Sequence, residues 1–365
     1  MIDEKLLKSE EKAVFALRSL YRKYGYLPYK MSKFEEYELY MRNKDFLISD
    51  RIITFNDTNG KLLALKPDVT LSIIKGGEDA PGCKQKVYYN ENVYRVSEST
   101  HQYKEIMQAG LECIGDIDLY DIYEVISLAA QSLSLISDSF VLEISHLGLL
   151  SRALDSVCPD EAFGAQALRC ISEKNAHDLR RLCDQYRVSE QGADMLSTFV
   201  STYGKRGEVI EKLKNTYPAE ELGELEALSK LLDSSPLSDK IIFDFSVIND
   251  MNYYNGFVFK GFLDGVCGGV LAGGQYDKLM EKMERRSGAI GFALYLDMLE
   301  QLSGSNSGSG VDVLLIYGAG TDTDALCKKI NELISSGLTV SAQKGVPEKL
   351  RYKELIDLRK EGASC

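Results

Sequence analysis

Asp68 and Thr70 follow Pro67 at the start of a short helical run, DVTLSIIKGG. Gln108 and Glu112 stand four apart in EIMQAGLECIG. On a strand, where side chains alternate, that spacing points both to one face. Tyr253 and Tyr254 occur in VINDMNYYNG, a stretch that holds no cation, just ahead of a strand-like run, and Tyr276 follows Gly273-Gly274. Carboxylates, an amide, a hydroxyl and phenols on one sheet face would suit an amino acid carrying an ammonium group and a polar side chain. The same spacing describes ordinary polar residues on a solvated sheet face, and spacing alone favours that plainer reading.

Other chemistries find less support. His101, His146 and His177 are far apart and fit no HExxH or Cys/His pattern, so no metal site is expected; loop, cap and surface roles account for them. The eight cysteines, at 83, 113, 158, 170, 183, 267, 327 and 365, include no C-x-x-C pair, and several lie in apolar runs such as LECIG. They read as free thiols of a reducing compartment. The glycines between 265 and 274 match neither G-x-G-x-x-G nor a P-loop, and suit close strand approach or a backbone that comes near a ligand. Lys and Arg number 43 against 55 Asp and Glu, a net charge of −12 over 365 residues. Polyanions are gripped by Lys and Arg, so nucleic acid is not the expected main ligand, although a locally basic groove is compatible with this balance. No apolar run approaches the ~20 residues that span a bilayer. The N-terminus, MIDEKLLKSEEKAV, lacks a signal-peptide core, and a cytoplasmic protein without a membrane span is expected.

The positioning elements follow from periodicity. Helical spacing over residues 3–24 predicts an amphipathic helix stopped by Gly25. In RIITFNDTNGKLLAL, Asn59-Gly60 between strand-like runs predicts a hairpin. Residues 86–96 and 105–115 read as antiparallel strands joined by SESTHQY, followed by a helix at 118–136 and a strand at 140–145. Helical patterns dominate from about 147 to 235, a helical insert between two parts of one sheet. Strands resume at KIIFDFSVI, YYNGFVFKGF and GVCGGVLAGGQYD, and AIGFALYLDMLEQL reads as a closing apolar helix. SGSNSGSG at 303–310 is a linker. After it, VDVLLIYG, a helix, LTVSAQK and a charged helix predict a small αβ domain over 311–365. Hairpin-joined strands with helices grouped apart make the fold α+β.

These same segments resemble a known family. LLALKPDVT resembles the LALRPEGT signature of histidyl-tRNA synthetase, and NVYR…YKEIMQAGLECIG resembles its motif 2 with the RQFHQxGxE strand. MNYYNG is similar to its LDYYxG histidine motif, GGQYDKL to its GGRYDGL, and AIGFALYLDML to its motif 3. The matches keep the family's order over roughly residues 1–300. The resemblance implies a class II aminoacyl-tRNA synthetase-like antiparallel sheet flanked by helices. It also implies a homodimer formed through motif 1 and a tail like a shortened anticodon-binding domain. Residue by residue, it places Asp68 where the family's glutamate meets the substrate ammonium, with Thr70 and Gln108 as further ammonium contacts. Glu112 and Tyr254 stand where the imidazole is read, Tyr253 and Tyr276 nearby, and Arg95 at the motif 2 arginine.

The departures concern nucleotide chemistry. Asn249 replaces the arginine before the paired tyrosines, Met298 the motif 3 arginine that grips ATP, and Ser97 the glutamate that reads adenine. Adenylation develops negative charge that preorganised cations must meet, and losing one such stabiliser costs about 10²–10³ in rate. A kept histidine pocket, lost adenylation parts and a reduced tail resemble the regulatory subunits of short-form ATP phosphoribosyltransferases. That likeness implies a catalytic subunit as partner in a hetero-octamer, L-histidine as feedback effector, no cofactor, no catalytic residues and no tRNA partner. A divergent histidyl-tRNA synthetase, or a synthetase-like partner with another ligand, are the alternatives.

Overall fold

Local rules set the first elements of the computed structural model, which describes residues 7–47, 52–77, 82–96, 101–248, 253–302 and 310–359. Helix α1 (Ser9–Lys23) begins where the Glu11 carboxylate turns back to accept the Lys8 backbone N–H at 2.8 Å. It stops before Gly25, whose φ of +83° is a left-handed conformation that glycine adopts freely. The expected start near residue 3 falls outside the described residues, and the helix is shorter at that end. After β1 (Leu27–Pro28), strands β2 (Phe34–Glu36), β3 (Thr54–Asn56) and β4 (Leu62–Leu65) form a small antiparallel sheet. The Asn59-Gly60 hairpin is present: Asp57 Oδ1 accepts from the backbone N–H of Asn59 and Lys61, both at 2.8 Å. Helix α2 (Tyr37–Arg42) lies between β2 and β3, and α3 (Thr70–Gly76) follows β4.

Contacts divide the chain into residues 1–302 and 303–365. The first unit is built on a nine-stranded sheet of order β1-β5-β6-β12-β11-β10-β7-β9-β8. Its long central hairpin is β5 (Gln85–Val96) with β6 (Tyr103–Gly115), followed by α4 (Leu119–Ser134) and β7 (Phe140–His146). The predicted insert follows as α5 (Leu147–Val157), α6 (Glu161–Ser172), α7 (Ala176–Gln185) and α8 (Glu190–Ser201). Strand β8 (Tyr203–Lys205) and helices α9 (Arg206–Lys214) and α10 (Ala219–Leu232) complete it. The sheet resumes with β9 (Ile241–Asp244), β10 (Phe257–Leu263) and β11 (Leu271–Gln275); α11 (Asp277–Lys282) precedes β12 (Gly288–Tyr295). Among the described residues of this sheet, only β1·β5 and β7·β9 pair in parallel.

One face of this sheet is core. Leu111, Leu142, Ile144, Phe259 and Phe292 pack with Leu17 and Tyr21 of α1 and Val125, Ile126 and Ala129 of α4, all buried. Each such side chain contributes about 1.5–3 kcal/mol of burial. The opposite face of the same strands carries the site described below.

Four expectations are corrected. AIGFALYLDMLEQL is not an α-helix: residues 288–295 are strand β12 between β6 and β11, followed by a short 3-10 helix, Leu296–Gln301. A strand covered on both faces is apolar throughout, and periodicity cannot tell it from a buried helix. The insert is not purely helical, since β8 adds an antiparallel edge to β9. Within the second unit, β13 (Gly310–Ile316) lies between β14 (Val340–Gln343) and β15 (Arg351–Asp357), both parallel to it, with α12 (Thr323–Ser335). The charged terminal segment is therefore strand β15, because pairing with β13 overrides the helix propensity of its Lys and Glu. Gly310 begins β13, while linker residues 303–309 lie outside the described residues.

Candidate amino-acid site

Strand register brings the candidate residues together. Across the sheet, Val87, Glu112, Gly291 and Gly274 form one row, and Tyr89, Gly110, Ala293, Ala272 and Lys260 the next. Glu91, Gln108 and Tyr295 form a third. Positions two apart on each strand share a face, so all three rows look the same way. Above them lies a cavity of about 310 Å³ lined by Asp68, Thr70, Arg95, Gln108, Glu112, Tyr253, Tyr254 and Tyr276. All eight residues singled out for binding thus converge on one space.

Small residues make that space. A Cβ on Gly291 would stand 1.7 Å from Glu112 Oε2. On Gly110 it would meet the Tyr89 hydroxyl at 2.5 Å, and on Gly274 the Tyr254 ring at 2.7 Å. Glutamate and two tyrosines therefore lie flat over bare backbone, and the glycine-dense stretch serves close approach as expected.

Glu112 is the electrostatic centre. It is buried; its Oε1 accepts from the Thr70 hydroxyl at 2.8 Å and its Oε2 from the Tyr276 hydroxyl at 2.6 Å. Burial pushes its pKa up to about 8 against the pull of these two donors, and nearby Asp68 adds to the rise. Asp68 is raised too, mainly by burial; the Leu71 N–H, which it holds at 3.0 Å, and the Arg95 charge oppose the shift. A cationic group placed between two carboxylates that burial has raised favours their ionised forms. Burial also holds the phenols of Tyr89, Tyr253, Tyr254 and Tyr276 well above the usual tyrosine value, so they remain donors.

The tyrosines are held by ring contacts and by a clasp. Tyr253 lies 4.6 Å from Tyr254 and 5.7 Å from Tyr276 between ring centroids, with Phe46 at 6.3 Å. Just beyond them Asn255 and Asp277 exchange two hydrogen bonds, at 3.0 and 2.9 Å, and Gln275 Oε1 accepts the Phe257 N–H at 2.7 Å. The GGQYD segment thus fixes the segment that carries the paired tyrosines.

Arg95 is tied beside Asp68, its Nε donating to the Pro67 carbonyl at 2.9 Å. Met298 is not at the cavity: it sits in the 3-10 turn, packed against the core. Ser97 and Asn249 lie outside the described residues, as do Asp250 and Asn252. Sequence reasoning missed Phe46, Tyr89, Tyr295 and Lys260, which also line the cavity. Lys260 was findable, since in FVFKGF it breaks an apolar strand at a position that alternates away from the buried Phe257 and Phe259. His146 is a cap: Nδ1 accepts the Leu149 N–H at 3.0 Å, which leaves Nε2 protonated to donate to Glu224 at 2.8 Å.

Comparison with known proteins fits this geometry. The ATP phosphoribosyltransferase regulatory subunit of Oceanobacillus iheyensis is 28% identical over 283 residues, covering 76% of this chain and 69% of its own. A solved ATP phosphoribosyltransferase regulatory subunit/histidyl-tRNA synthetase from Bacillus halodurans is similar with a TM-score of 0.76 at 24% identity, over 98% of this chain and 97% of its own. The ATP phosphoribosyl transferase (HisG:HisZ) complex from Thermotoga maritima contains a chain similar at a TM-score of 0.63 and 20% identity, over 79% and 97%. The two structures establish the α+β, class II synthetase-like fold. The family model for histidyl-tRNA synthetase spans residues 2–299, a stretch that takes in every strand and turn building the cavity, and this chain belongs to that family.

Proposed function

We propose that this chain is a non-catalytic regulatory subunit of a short-form ATP phosphoribosyltransferase, needed by a separate catalytic subunit and carrying feedback inhibition by L-histidine. The observation that carries the reading is the gathering of Asp68, Glu112 and the phenols of Tyr89, Tyr253, Tyr254 and Tyr276 around one cavity. Asp68, Thr70 and Gln108 take the ammonium group, and Glu112 with Tyr254 reads the imidazole. At about 310 Å³ the cavity stands at the foot of the ~300–1,000 Å³ range of small-molecule sites, room for one amino acid. Met298, packed away from the cavity, supplies nothing that could grip ATP. The names borne by the relatives point the same way.

In this reading histidine biases the assembly toward an inactive state, which requires it to bind the two states with different free energies. The chain forms a homodimer through the motif 1 region and joins the catalytic subunit in a cytoplasmic hetero-oligomer. Residues 311–365 form a reduced anticodon-binding-like domain that binds no tRNA. No cofactor takes part. The test is reconstitution with a small phosphoribosyltransferase: activity is expected only with both chains, and it falls on adding histidine, while ATP–pyrophosphate exchange stays at background. Histidine-dependent exchange by the purified chain would sink the proposal.

A second reading, a divergent histidyl-tRNA synthetase, is favoured by one observation, the presence of the cations Arg95 and Lys260 at the cavity. Charging of histidine tRNA by the chain alone decides for it.

A further inference from the structure

We propose that Lys260 is the cation that grips the α-carboxylate of the amino acid in this cavity, an assignment that rests on the histidine reading above. The family's carboxylate arginine is replaced at position 249 by asparagine. A bound zwitterion therefore needs another positive group, and the sheet offers one. Lys260 stands on β10 in the same row as Ala272, Ala293 and Gly110, facing the cavity across two alanines and a glycine. With strands ~4.8 Å apart, its Cα lies about 14 Å from that of Gly110 across the floor. The floor between the two strands, Ala272, Ala293 and Gly110, is bare enough for an amino acid to lie over it.

Two other cations of this region are already committed. Lys66 is buried and paired with Glu91 at 2.7 Å. Arg95 is fastened to Pro67 and its charge serves Asp68, which places it at the ammonium end. Lys260 differs from both. It is half-buried, and among the described residues its ammonium makes no hydrogen bond or ion pair, with only the Phe262 ring near it at 5.6 Å. Its row neighbour Glu143 feels its charge, yet no ion pair joins them. A glycine also holds it in place: a Cβ on Gly269 would stand 2.3 Å from Lys260 Cε and 2.8 Å from Cγ, so the stem lies across bare backbone. An unpaired, half-buried cation at the edge of a cavity whose other wall reads the side chain is placed for the α-carboxylate of the ligand.

Calorimetry on the full chain with L-histidine and L-histidinol, in which an alcohol replaces the carboxylate, tests the assignment. Wild type is expected to prefer histidine by about 10- to 100-fold, the range of a charge-assisted hydrogen bond. Lys260→Met keeps the stem over Gly269 and should weaken histidine by that factor while leaving histidinol unchanged, and Lys260→Arg should recover most of the preference. Equal binding of both compounds by wild type would overturn the assignment. So would a Met variant that keeps the preference, or one that loses both compounds alike; in all three cases the histidine site itself stands. Failure of wild type to bind either compound removes the histidine reading, and the role of Lys260 falls with it.

Discussion

At the Glu112 end of the cavity both carboxylate oxygens are met by protein hydroxyls, at 2.8 Å from Thr70 and 2.6 Å from Tyr276. At the Lys260 end the ammonium makes no hydrogen bond or ion pair among the described residues, with the Phe262 ring 5.6 Å away. Both ends belong to one sheet face, two strands and a glycine floor apart, yet one is finished by the protein and the other is left open. The difference is chemical. A buried carboxylate can be kept by neutral donors and a raised pKa, so the acidic wall survives empty at modest cost. A cation has no comparable neutral refuge in a dry wall, so it is kept half-exposed until an anion arrives. Preorganisation therefore sits at the end that reads the side chain, and adaptability at the end that takes the carboxylate.

The strongest way to break this contrast is to remove the floor. Gly291→Ala puts a methyl 1.7 Å from Glu112 Oε2. The carboxylate must leave its two hydroxyl donors, and a crowded core position of this kind costs about 1–3 kcal/mol. Histidine binding is expected to fall by at least about 100-fold, with a lower thermal midpoint. Normal affinity in calorimetry would show that the acidic wall is not where the ligand is read.

That glycine also shows what was legible. Gln108 and Glu112 declared their shared face through the two-residue period of a strand, and Asn59-Gly60 its hairpin through turn chemistry. The Asp68 helix start was readable from its position just before a helical run. Gly291, Ala293 and Tyr295 were hidden because β12 is covered on both sides and its apolar run carries no period. Strand β15 was hidden for the opposite reason, exposed Lys and Glu that favour helix in isolation. The closeness of Lys260 to the site was not local at all: it depends on β10 lying two strands from β12, a matter of sheet order rather than of neighbours in sequence.

A smaller effect sharpens the electrostatic side. Glu112 titrates near 8 in the native state against an ordinary 4.5, so the native protein holds a proton that the unfolded chain has already released. Its contribution to stability is therefore lost as pH rises from about 4.5 to about 8. Glu112→Gln removes the titration, and its thermal midpoint should exceed that of wild type at the top of this window while matching it at the bottom. An ammonium held at Asp68, close enough to couple with Glu112, favours the ionised carboxylate, so histidine binding should strengthen toward pH 8, by at most about tenfold per unit, with proton release on binding. The Gln variant should bind about 10- to 100-fold more weakly, show no such slope, and relieve inhibition of the partner without loss of assembly. A slope that persists in Glu112→Gln would assign the linked proton to Asp68 instead.

The finest test removes one phenolic oxygen that the protein has paired and one that it has not. Tyr276→Phe takes away the 2.6 Å donor to Glu112, leaving the carboxylate with Thr70 alone. The lost hydrogen bond to a buried charged group should push Glu112 higher still and weaken histidine by about tenfold. Tyr295→Phe deletes a hydroxyl that also borders the cavity but makes no hydrogen bond among the described residues. With no partner to orphan, its loss should change affinity by less than about threefold. The two variants remove the same atom from the same kind of side chain, so bulk and aromaticity cancel and only the state of completion differs. If Tyr295→Phe proved the more damaging, the hydroxyl without a protein partner would be the one that recognises the ligand, and the Glu112–Tyr276 pair would lose that role.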